Sequence, residues 1–91
     1  MATEDEVHQL QRKFDVSPTL AQLLYLLATN VRLTAEQIEE TGVVADARVS
    51  IHRLRKIMAA HEIDIRAAYK TGYWLSEEDQ AIIKACLKVA A

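Results

Sequence analysis

The sequence predicts one mainly α domain carrying a single small β-hairpin. Five stretches repeat apolar residues at helical spacing, and each opens on a capping residue: Thr3, Ser17, Thr34, Asp46 and Ser76. One stretch, Ile63 to Leu75, changes to two-residue alternation and is broken by Lys70-Thr71-Gly72. Two glycines and one proline in 91 residues are too few for the turns of an all-β fold or for a disordered chain. The length suits one domain, residues 1–91, with one modest core.

The first helix is expected over residues 3–15. Thr3 and Glu6 form a T-x-x-E capping pattern, and Val7, Leu10 and Phe14 make a narrow apolar stripe. Ser17-Pro18 opens the second helix, with proline in the first turn, where its missing N–H is harmless. Leu20, Leu23, Leu24 and Leu27 mark it as the central core helix, and Asn30 as its stop. A short third helix starts at Thr34, turns Ile38 inward and ends at Gly42, where left-handed backbone is cheap. Asp46 caps a fourth helix reaching about His61, with Val49, Leu54, Ile57 and Met58 expected inside and Ile51 on the flank. Short helix, tight turn and longer basic helix form a helix-turn-helix pattern. The hairpin of about 63–75 follows directly, where a wing belongs, and Tyr73 and Trp74 are expected to pack. A last helix, 76–90, carries Ile82, Ile83, Cys86, Leu87 and Ala90 as its stripe, with Cys86 read as a core thiol.

Charge is unevenly placed. Asp46 to Lys70 holds six basic residues against three acidic ones, a segment charge of +3 within a chain of net −2. A basic face on an acidic body is the asymmetry that phosphate binding requires. One cysteine cannot form an internal disulfide, which fits a reducing, cytoplasmic setting. The acidic start, Met1–Glu6, is unlike a secretory leader, and no apolar run approaches a membrane span, so no membrane partner is expected. His8, His52 and His61 lie far apart without metal-ligand spacing, and the three serines read as caps or helix surface. No catalytic residue, metal or cofactor is therefore expected.

Val49-Ser50-Ile51-His52-Arg53-Leu54-Arg55-Lys56 resembles the recognition-helix signature of the OmpR/PhoB-type winged-helix effector domains, roughly V-H-I-x-R-L-R-K. Ile65 to Leu75, ending in Gly72-Tyr73-Trp74-Leu75, is similar to their wing, and Ser17–Leu27 and Thr34–Glu40 to their first two helices. The resemblance covers about residues 17–77. It departs from the family in lacking the N-terminal sheet and receiver domain, in having Lys70 for a wing glycine and Trp74 for an arginine, and in adding a helix at each end.

The resemblance implies a winged helix-turn-helix core at 17–75 that binds double-stranded DNA to regulate transcription. Helix 46–61 would enter the major groove, and hairpin 63–75 would meet the minor groove or backbone. It implies a groove-reading role for Arg53, a phosphate role for Arg55, and a thymine-methyl contact or core packing for Val49. His52, Arg48, Lys56, Arg66, Lys70 and Thr71 complete the expected contacts. Arg53 and Arg55, two residues apart on a helix, cannot point the same way. The alternative is an interaction module holding RNA polymerase, a nuclease or a host regulator. The N-terminal stripe is expected to pack within the chain and the C-terminal helix to support a homodimer.

Overall fold

The computed structural model describes residues 2–88. The chain runs α1 (Glu4–Phe14), α2 (Pro18–Thr29), α3 (Ala35–Glu40), α4 (Ala47–Ala59), β1 (Arg66–Ala68), β2 (Gly72–Trp74) and α5 (Glu77–Lys88). It is mainly helical with one small antiparallel hairpin. None of these helices is long and apolar enough to cross a membrane.

The local signals act as elementary chemistry requires. Thr3 and Thr34 each accept from the backbone N–H of the third helical residue, while Glu6 and Gln37 reach back to the cap N–H. Ser17 and Asp46 accept in the same way from Leu20 and Val49. These bonds satisfy donors that each helix start leaves open. Gly42 closes α3 with φ 78°, a left-handed conformation in which a side chain would be strained.

The core is built around α2: α1 and α5 pack on it and on each other, α4 also meets it, and α3 packs on α4. Leu10, Phe14, Leu23, Leu24, Leu27, Leu54, Met58 and Ile83 are buried together. The N-terminal stripe is thus spent within the chain, as expected. Much of the C-terminal stripe is spent there too: Ile83 is buried, and Cys86 and Leu87 pack half-buried against the core. Ile82, one residue or about 100° around from Ile83, is instead 47% exposed. The expected stripe residue Ala90 lies outside the described residues.

Two expectations for α4 are corrected. Val49 is 47% exposed rather than inward, and Ile51 is buried rather than flanking. The two lie about 200° apart on a helix, so burying one exposes the other. Ala47, Ile51, Leu54 and Met58 make the stripe that meets the core, and Ile57 sits half-buried at its edge.

The hairpin is shorter than its alternation suggests. β1 begins at Arg66, which pairs with Trp74. Ile63 and Ile65 are buried and Asp64 is exposed, so the alternation reports burial, but β2 ends at Trp74 and leaves those residues without a strand to pair with. One pairing carries no local signal in the sequence. Leu33, between α2 and α3, exchanges two backbone hydrogen bonds with Tyr73, at 3.0 and 2.8 Å. This bridge puts β2 in the middle of a minimal three-stranded edge and ties the hairpin to the start of α3.

Candidate nucleic-acid interface

α4 contains no carboxylate between Ala47 and Ala59. With its stripe fixed on the core, geometry decides what the rest presents. Val49, His52, Arg53 and Lys56, at i, i+3, i+4 and i+7, form the outward face, and all four are exposed. Arg48 and Arg55, seven residues apart, occupy the flank nearest the hairpin.

Those two flank arginines differ in use. Arg48 is exposed and lines an open groove of about 670 Å³ between α4, the hairpin and the start of α3, together with Glu36, Lys70 and Tyr73. Arg55 turns inward instead. Its Nε and a terminal guanidinium nitrogen both donate to the Ile65 carbonyl oxygen, at 3.2 and 2.9 Å. That carbonyl lies just before β1, so Arg55 fastens the hairpin to α4. Arg53 points away from it into solvent, and the divergence of the two arginines follows the helical angle between them.

Arg55→Ala is therefore expected to destabilise the fold. Two hydrogen bonds from a charged group to a half-buried carbonyl are worth about 1–2 kcal/mol here. For a domain of this size that lowers the melting temperature by roughly 5–15 °C. Arg53→Ala, with no such partner, is expected to melt like the parent chain. Equal melting of the two variants would remove Arg55 from the hairpin's support.

The hairpin adds a second basic edge. Ala68 pairs with Gly72, and Thr71 N–H closes the turn on the Ala68 carbonyl at 3.1 Å. Lys70 sits in that turn with φ 65°, a left-handed conformation unusual for a residue with a side chain. Its Nζ lies 5.6 Å from the centre of the Tyr69 ring, within cation–π range. Arg66 is exposed, with its Nε 4.0 Å from the Asp64 carboxylate, and Thr71 is half-buried.

The structure thus exposes Val49, His52, Arg53 and Lys56 on the outward face of α4 and brings Arg48 and Lys70 to one groove, whereas Arg55 is occupied internally. Sequence reasoning passed over Tyr69 and Glu36. Tyr69 is 90% exposed at the hairpin tip. The two-residue alternation placed it in a strand, although its position beside Lys70-Thr71-Gly72 was a turn signal. Glu36 lines the groove from α3, whose start follows the Leu33–Tyr73 bridge to the hairpin.

No family model, curated protein or solved structure matches this chain. The functional reading consequently stands on the residues themselves.

Proposed function

We propose that this chain is a winged helix-turn-helix module that binds double-stranded DNA, with α4 in the major groove and the hairpin on the adjacent backbone or minor groove. The observation that carries this is the acid-free outward face of α4, with the basic hairpin tip at its side. A helix about 10–12 Å across fits a major groove about 12 Å wide. Thirteen residues span about 20 Å, enough to set Arg53 on base edges while Lys56 meets phosphate. An arginine can hold guanine O6 and N7 with two hydrogen bonds, and the exposed methyls of Val49 suit a thymine methyl. Arg48 and Lys70 both line the groove, and their charges suit contact with phosphate. The element order, with a strand pairing at Leu33 between α2 and α3, also suits a winged helix.

Binding of random duplex at rising salt tests the reading. A DNA binder loses affinity steeply because each neutralised phosphate releases counterions. Absence of binding at low salt would overturn the proposal. Two variants separate the roles. Arg53→Ala is expected to lose about 1–3 kcal/mol of discrimination for the selected site, roughly 5- to 150-fold, with normal melting. Lys70→Ala is expected to weaken all sequences alike and flatten the salt slope by about one. A change of preferred base in Lys70→Ala with an unchanged slope would assign base reading to the hairpin instead.

A second reading, a protein-interaction module, draws on different observations. Glu36 shares the groove with Arg48, Glu39 and Glu40 are exposed along α3, and Tyr69 is a large bare aromatic at the tip. Carboxylates beside the groove repel a phosphate backbone, whereas exposed aromatics commonly anchor protein partners. A chain that ignores duplex at every salt concentration would favour this reading.

A further inference from the structure

α5 presents two unlike surfaces. Its inner side, Ile83 with Cys86 and Leu87, is taken up by the core. Its outer side holds Glu77, Glu78, Ala81, Ile82, Lys84 and Ala85, all exposed. At about 100° per residue, Glu78, Ala81 and Ala85 fall within one narrow arc. Ile82 borders that arc on one side, and Glu77 and Lys84 border it on the other. Nothing in the described chain covers this face.

Its charges are also unmatched. Among the described residues the one ion pair joins Arg66 and Asp64, so neither Glu77 nor Lys84 has an ion-pair partner there. Glu77 and Lys84 stand two turns apart, about 10 Å along the axis, too far to meet each other. Their order along the helix, acid first and base second, is reversed in an antiparallel copy.

We propose that two copies of this chain pair through the outer faces of α5, antiparallel about a two-fold axis near Ala81. In that arrangement like borders meet like borders. On one border each Lys84 lies beside Glu77 of the second copy, giving two symmetric ion pairs. On the other the two Ile82 side chains meet and lose their exposure. Ala81, at the crossing, lets the backbones approach closely. Glu78 lies opposite Ala85 of the second copy, whose small side chain leaves the carboxylate in water. The antiparallel order also sets each helix's positive end beside the other's negative end. One helix pair buries less than the roughly 1,600 Å² of a standard interface, so a reversible, concentration-dependent dimer is expected. The C-terminal helix was expected to serve a homodimer through Ile82, Ile83, Cys86 and Leu87, but the core occupies most of that stripe. The outer face takes its place.

Sedimentation equilibrium of the full chain without DNA, from low to high micromolar concentration, tests this. The parent chain is expected to rise from one to two copies. Lys84→Glu and Glu77→Lys each place like charges together at both symmetric contacts and are expected to weaken pairing roughly tenfold or more. The double variant with both substitutions restores opposite charges and is expected to restore the dimer. Both charges are exposed, so Lys84→Glu should melt like the parent when monomeric, while Glu77→Lys, which replaces an acid in the first turn of α5, should melt a few degrees lower. A parent chain that stays monomeric throughout overturns the proposal. So does a dimer indifferent to Lys84→Glu, or a double variant that does not recover. Because no DNA is present, these outcomes are separate from the test of duplex binding.

Discussion

Replacing Gly72 by alanine is expected to lower the melting temperature by more than 10 °C. Gly72 has φ 101°, a backbone conformation that side chains rarely adopt. A Cβ there would overlap the carbonyl oxygen of Leu33 and stand 2.7 Å from its carbon and 2.9 Å from the Cα of Thr34. All three atoms are backbone, so no side-chain rotation relieves the overlap. The chain must separate where Leu33 and Tyr73 exchange their two hydrogen bonds. A two-stranded hairpin released from its neighbour is marginal in water. Backbone strain with loss of this bridge amounts to about 3 kcal/mol or more. At roughly 4–8 °C per kcal/mol, the melting shift follows. Gly42 provides the contrast. Its φ is 78°, but a Cβ there meets nothing within 4 Å. Gly42→Ala is expected to cost only about 1 kcal/mol of strain. Thermal melts of the two variants distinguish close approach from conformational strain. Similar melting temperatures would show that the Leu33–Tyr73 bridge does not support the fold.

A chain ending at Glu78 is expected to lose its cooperative melting transition at 25 °C and above. Such a chain lacks Ile83, fully buried between α1 and α2, whose side chain alone contributes about 2–5 kcal/mol. It also lacks Gln80, whose side-chain amide donates to the carbonyls of Leu27 and Asn30 at 3.1 and 2.8 Å. Those carbonyls belong to the end of α2, where the helix itself supplies no donors. Removing α5 further bares the apolar faces of α1 and α2. A domain of this length is stable by about 5–14 kcal/mol in all, so the combined loss is comparable with the whole. Circular dichroism against temperature gives the result directly. A sigmoidal melt within a few degrees of the parent would make α5 an accessory, held for its outer face alone. Gln80→Ala, a milder change, is expected to lower the midpoint while keeping the transition sharp.

The basic face of α4 and the support of the hairpin involve neighbouring residues with opposite duties. Arg53 stays free at the surface, while Arg55, two positions on, spends two donors on Ile65. A polar contact made within the fold stabilises it, and one left open is available to a partner. Substitutions at Arg55 thus affect stability before they affect binding, whereas those at Arg53 act in the reverse order. Any comparison of duplex affinities across this helix therefore needs a melting curve beside it.

By itself the sequence determined the helices, their caps and the hairpin turn. These are local: a threonine or serine bonds to an N–H three residues on, and an apolar residue recurs within the span of a few turns. The acid-free run of α4 was legible for the same reason, as were Arg48, His52, Arg53, Lys56 and Lys70 as exposed basic or polar candidates. Periodicity alone put Val49 on the inward side of α4 and Ile51 on its flank, because both suited an apolar stripe. Packing on the core chose Ile51 and turned Val49 to the surface. The Leu33–Tyr73 bridge joins residues 40 apart, and nothing local in a lone Leu33 signals a strand. That bridge lies just before the helix that carries Glu36 and leaves no room for a Cβ at Gly72. The capture of Arg55 by the Ile65 carbonyl and of α2's last carbonyls by Gln80 are likewise tertiary. Local hydrogen bonding writes element boundaries into sequence, but which groups meet across the fold depends on how faces dock. Only the packed structure fixes that.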